Sequence, residues 1–175
     1  MAIQSPMYGS IKQDNNMPKV LYKHAFGTGG PEHENTTDAA DLFSYSIPAN
    51  TLEVGDIVRV KIYATVIDNN GSDELTPVLN FAGSAICSGA ALDVADDDLV
   101  WASADIHVLK VGSAGSMQAF ADLRTDANGT VHKAEANVLT SKDTTAAIAI
   151  ALNMDWNAAN ADNEVRLDAA VIELL

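Results

Sequence analysis

The sequence predicts an all-β fold, an antiparallel jelly-roll β-sandwich with an extended N-terminal arm, and three observations lead there. From Pro18 onward, short runs of alternating apolar and polar residues are punctuated by Gly, Asn and Asp, as sandwich strands and their turns require. Hydrophobic residues make up 47% of the chain but aromatics only 6%, so the core must be layered from Ala and β-branched side chains, which suits two stacked sheets. The nearest thing to a helical period, at residues 134–138, is too short and soon meets Thr and Asp.

Residues 1–18 are polar, Asn-rich and without apolar period, which reads as an extended arm; residues 19–175 read as one sandwich domain. The first candidate strand is 20–25, broken by Gly27-Thr28-Gly29-Gly30-Pro31, and the second is 41–47, ending at Pro48-Ala49-Asn50. The clearest strand is 56–68, where Val58, Val60, Ile62, Ala64 and Val66 point one way and Arg59, Lys61, Tyr63 and Thr65 the other. One face is core and the opposite one is wet or at an interface. Asn70-Gly71 supplies the positive φ of a tight turn, so 75–81 should return antiparallel to it. Further strands follow at 85–91, 99–111 and 117–124, the last two joined by a turn at Gly112 to Ser116. An Asn128-Gly129 hairpin leads to 131–140, and then come 146–156 and 164–175, about nine or ten strands in all.

Composition excludes several classes of function. A net charge of -14 opposes binding to a phosphate backbone or an anionic membrane surface, so neither nucleic acid nor membrane is an expected partner. No apolar run approaches the ~20 residues of a membrane span, and the first residues lack the basic-then-apolar order of a signal peptide. Cys87 is the one cysteine, so no intrachain disulfide forms and synthesis in a reducing cytoplasm is expected.

Motifs for chemistry are absent. His24, His33, His107 and His132 lie apart with no zinc-ligand spacing, and the Asp-rich stretches at 68–74 and 93–98 do not match the calcium-loop pattern, so they read as solvated turns. The three Asn-x-Ser/Thr triplets are turn chemistry, and neither a framed nucleophilic Ser nor a phosphate-cradling loop is present. Carboxylates such as Asp105, Asp122 and Glu135 could converge in space, but no motif singles them out, so no enzyme, catalytic residue, metal or cofactor is expected. Trp101 and Trp156 each lie near an end of a candidate strand, where a Trp anchors a core or, if exposed, stacks on a sugar.

The run Ile47-Pro48-Ala49-Asn50-Thr51-Leu52-Glu53-Val54-Gly55-Asp56 entering a long strand resembles jelly-roll virion structural proteins of tailed bacteriophages. Trp101 followed by Ile106-His107-Val108, and the ending from Asn153-Met154-Asp155-Trp156 to Leu175, resemble them too, so the likeness spans residues 44–175. It implies a homotrimeric capsid decoration (cement) protein on the capsid surface that binds the major capsid protein and stabilises the mature lattice by mass action. In that reading Ile3, Met7, Tyr8, Ile11 and Met17 of the arm contact the shell or a neighbouring copy by strand addition. The alternative within the same resemblance is a tail or head-fibre receptor-binding or carbohydrate-binding module, with Trp101 and Trp156 as glycan contacts.

Overall fold

The computed structural model describes residues 18–24, 30–126 and 131–175. The expected arm contacts Ile3, Met7, Tyr8, Ile11 and Met17 lie outside these residues, as does the Asn128-Gly129 turn. The described chain forms twelve strands: β1 (Lys19–Lys23), β2 (Glu32–Glu34), β3 (Ala40–Ile47), β4 (Ile57–Asp68), β5 (Glu74–Phe81), β6 (Ser84–Ser88), β7 (Leu92–Asp93), β8 (Leu99–Lys110), β9 (Gly115–Thr125), β10 (Val131–Lys142), β11 (Ile148–Trp156) and β12 (Glu164–Leu174). β2 and β7 escape a reading of the sequence because 3 and 2 residues are too few to show alternation.

The strands form two antiparallel sheets. The larger has the order β1-β12-β4-β8-β9-β10, with β2 also paired to β12; the smaller has the order β3-β11-β5-β6, with β7 paired to β5. The chain passes repeatedly from one sheet to the other, at β2 to β3, β3 to β4, β4 to β5, β7 to β8, β10 to β11 and β11 to β12. This nested wrapping makes a jelly-roll sandwich, with the β9–β10 hairpin extending the larger sheet beyond β8.

The pleat sorts each strand into an inner and an outer set. From β4, Val58, Val60, Ile62, Ala64 and Val66 are buried, and from β8, Val100, Ala102, Ala104, Ile106 and Val108. They pack with Ile148, Ile150, Leu152, Met154 and Trp156 of β11 and with Leu75, Leu79 and Phe81 of β5 in one continuous core. Four of the nine core residues on β8 and β9 are alanines, Ala102, Ala104, Ala119 and Ala121. At the β8–β9 turn, Gly112 takes a φ of 108°. A Cβ on Gly115 would stand 2.6 Å from the Lys142 carbonyl oxygen and 2.8 Å from that of Lys110, so only glycine lets the three strands converge there.

Along one side the sandwich is closed by polar contacts between β6 and β10, each the outermost strand of its sheet. Asn137 Nδ2 donates to the Ile86 carbonyl at 2.7 Å, and Lys142 Nζ to the Ala82 carbonyl at 2.9 Å and the Ser84 hydroxyl at 2.6 Å. The thiol of Cys87, itself buried, donates to the Lys133 carbonyl at 3.4 Å. Side chains of one edge thus satisfy carbonyls of the other, which blunts both edges against pairing with a foreign strand.

At the end of the sandwich where β11 finishes, Asn163 joins three loops. Its side-chain oxygen accepts from the Asn70 amide at 3.1 Å, and its Nδ2 donates to Asp73 and to the Ala158 carbonyl, both at 3.0 Å. Its own carbonyl accepts from the Asn35 amide at 3.1 Å. The neighbouring carboxylates are crowded: Glu164 lies in register between Glu34 of β2 and Asp68 of β4. Burial, followed by repulsion from Glu32 and Glu34, raises the Glu164 pKa above its ordinary value. A raised carboxylate pKa favours the folded state while the group is protonated, and that contribution is lost as pH climbs through the folded value. Glu164→Gln is therefore expected to melt at a higher temperature than the parent at pH 7, with the gap closing as pH falls through the raised folded value towards 4.5, the ordinary value, and absent below it. Thermal melts across this range, repeated in high salt where the gap should shrink, check it.

Candidate functional site

The outer face of the larger sheet carries the aromatic and cationic side chains that the core does not use. Strand register sets them in rows across β4, β8 and β9. Tyr63 stands opposite Trp101, which stands opposite Arg124; Lys61 opposite Ser103, opposite Asp122; Arg59 opposite Asp105, opposite Phe120. The short Ser103 side chain thus sits between a ridge of Tyr63, Trp101 and Arg124 and a second ridge of Arg59, Asp105 and Phe120. Two hollows result. One, of about 470 Å³, is lined by Lys61, Tyr63, Trp101, Ala102, Ser103 and Arg124. The other, of about 340 Å³, is lined among others by Arg59, Asp105 and Phe120, and the two meet at Lys61 and Ser103. Both volumes lie within the range of small-ligand sites.

The polar groups on this face are held in place. Arg59 makes a two-pronged pair with Asp105, Nε to Oδ1 at 2.8 Å and Nη2 to Oδ2 at 3.1 Å. That hydrogen bonding holds the Asp105 carboxyl below its ordinary pKa. Arg124 likewise donates to Asp122, with Nη2 to Oδ2 at 2.8 Å. Phe120 is 51% exposed, and the His107 ring meets it edge-on at 5.6 Å. Tyr63 and Trp101 are half-buried, each with part of its ring open to solvent. Lys61 is exposed and has no hydrogen bond or ion pair among the described residues.

Such a face can stack a flat apolar surface against Tyr63 and Trp101 while the arginines, Asp105, Asp122 and Ser103 exchange hydrogen bonds with hydroxyl groups. It is poorly arranged for proton transfer. Asp105 and Asp122 do share the face, but each is tied to an arginine, and the lowered Asp105 stays ionised. Glu135 faces inward, in register with the buried Ala121. Among the described residues no group of three His, Cys, Asp or Glu is placed to hold a metal ion, and His33 is buried away from this face.

The two tryptophans part company. Trp101 lies on the open face, whereas Trp156 is 1% exposed, at the end of the core, with its Nε1 aimed at the His33 carbonyl at 3.5 Å. Trp156 as a glycan contact is thereby corrected: the pleat of β11 turns it inward. Arg59, Lys61 and Tyr63 are the residues that the alternation of β4 assigns to a wet or interfacial face; Ser103, Phe120 and Arg124 join them only through register.

No protein-family model and no curated protein matches the chain. Among solved structures it is similar to the EclA C-terminal domain, a sugar-binding protein, at 12% identity and a TM-score of 0.41, covering 94% of this chain and 86% of that one. It is also similar to the CBM2 module of the evolved Dit of Lactobacillus casei BL23 phage J-1, at 13% identity and a TM-score of 0.37, covering 86% of this chain and 79% of that one.

Proposed function

We propose that this protein is a non-catalytic carbohydrate-binding β-sandwich, with the ridge-and-hollow face of β4, β8 and β9 as its binding surface. The observation that carries the reading is the in-register pair Tyr63 and Trp101, open to solvent beside the hollow of about 470 Å³ lined also by Lys61, Ser103 and Arg124. Sugar rings present apolar C–H faces and equatorial hydroxyls. Aromatic rings beside fixed charged hydrogen-bonding groups answer both. The resemblance of the run at residues 47–56 to virion jelly-roll proteins supports placing the module on a phage particle, where the glycan is one of a cell surface.

Trp101→Ala tests the reading directly, because the ring is on the outer face and its loss leaves the core intact. Loss of a central aromatic contact should weaken glycan affinity by about 30-fold, ~2 kcal/mol, with little change in melting temperature. Titration of the parent and the variant with a glycan selected from an array reads it. Co-sedimentation with capsid shells lacking the protein separates the decoration reading. Saturable shell binding that survives Trp101→Ala, with no glycan bound, would restore a decoration protein and remove the carbohydrate reading.

A further inference from the structure

On the carbohydrate-binding reading, we infer that the ligand is an acidic saccharide, one bearing a carboxylate or phosphate group, and that Lys61 is the residue that pairs with its charge.

The distribution of positive charge points there. The chain holds 10 Lys and Arg residues against 24 Asp and Glu, so cations are scarce on its surface. Arg59, Lys61 and Arg124 nevertheless stand together along two adjoining hollows of one sheet face. Two of the three are already answered. Arg59 is matched by Asp105 and Arg124 by Asp122, both at 2.8 Å, so each pair offers a fixed polar edge with its charge cancelled. Lys61 is the exception. Its neighbours directly across the strands are Val171 on β12 and Ser103 on β8, neither of which carries a charge, and the carboxylate whose field it shares, Asp105, is already taken up by Arg59 in the two-pronged pair. The ammonium is exposed where the two hollows meet, the one position from which it can reach a ligand lying in either.

A neutral glycan gains little from an unpaired ammonium, because stacking and the two Arg–Asp pairs already serve its ring faces and hydroxyls. An acidic glycan needs it. Approaching a protein of net charge -14, an anion is repelled at long range and is bound only where a local cation outweighs that field. A lysine is a point charge on a flexible stem and does not discriminate a planar carboxylate from a tetrahedral phosphate, so the chemistry shared by both is the inference.

The test uses the full chain on an array carrying neutral, uronate-bearing and phosphate-bearing oligosaccharides, followed by titration with the tightest binder of each group. Acidic glycans should lead, and whether uronates or phosphorylated sugars head the ranking identifies the source of the charge. Lys61→Gln should lower acidic-glycan affinity by about fivefold and collapse the preference for acidic over neutral sugars, while Lys61→Arg keeps it. The residue is exposed, so melting curves should be unchanged and a misfolded variant would be evident. If neutral glycans lead, Trp101→Ala weakens their binding as expected above and Lys61→Gln alters no preference, the inference falls and the carbohydrate-binding reading stands. If no glycan of any group binds, or if Trp101→Ala leaves binding untouched, both fall together.

Discussion

Trp156→Ala is expected to destabilise the protein by about 3–5 kcal/mol, the largest loss any single truncation here should produce. The side chain is 1% exposed and is the largest of the fully buried ones. It ends β11 opposite Leu75, and removing it opens a void at the edge of the core that the surrounding strands cannot collapse to fill. The His33 carbonyl loses the indole donor as well. For a chain of this size such a loss lowers the melting temperature by roughly 10 °C or more. Chemical denaturation with an unchanged slope and a lower midpoint checks it. Trp156→Phe should recover much of the stability, because most of the volume returns, and it leaves Trp101 as the only tryptophan. Fluorescence of that variant then reports the outer face alone. A Trp156→Ala protein that melts with the parent would mean that the end of the core is not packed as described.

The second large effect centres on Asn163. Its amide is fully buried and uses both ends: one acceptor for the Asn70 amide and two donors, for Asp73 and for the Ala158 carbonyl. Asn163→Ala strands the Asn70 donor and removes the groups that hold two loops together, and the expected destabilisation is about 3 kcal/mol. The sharper variant is Asn163→Asp, which keeps the shape and replaces the donating nitrogen with an oxygen. That oxygen faces the Asp73 carboxylate, so an isosteric change should destabilise at least as much as truncation near neutral pH and recover in acid. Urea unfolding at pH 7 and pH 4 distinguishes a loss of packing, the same at both, from this charge clash, which weakens as the carboxyls protonate.

Both effects belong to the scaffold, and the scaffold was the more legible part of the sequence. The alternation of residues 57–68 gives the two faces of β4 outright, and the turn at Gly112 places β9 beside β8. The turn at Asn70-Gly71 does not make the expected hairpin: β5 crosses to the smaller sheet and pairs β11 and β6 instead of β4, because a local turn signal does not say in which sheet the next strand finds its partners. The candidate site was half legible. Residues Arg59, Lys61 and Tyr63 are on the outer set by parity alone, but nothing local says that Arg59 will meet Asp105 or that Tyr63 will meet Trp101. Those meetings come from pairing between strands 46 and 38 residues apart in sequence, and register is a property of the whole sheet. The tryptophans show how much parity alone can do. Ile148, Ile150, Leu152 and Met154 share the parity of Trp156, which marks it as inner; Ser103, Asp105 and His107 share that of Trp101, which marks it as outer. Position near a strand end, the feature they have in common, carries no such information.

The polar closure between β6 and β10 also has a consequence for kinetics. Cys87 sits behind it, and burial pushes its thiol up to about 11, so in the closed molecule the sulfur is neither reached by a reagent nor in its reactive form. Modification can proceed only in the brief intervals when that side of the sandwich parts. With a thiol reagent that reacts faster than the seam recloses, the labelling rate of the single thiol is the opening frequency of one identified seam; with a slower reagent it follows the population of the parted form, and its dependence on denaturant separates local parting from unfolding of the whole domain.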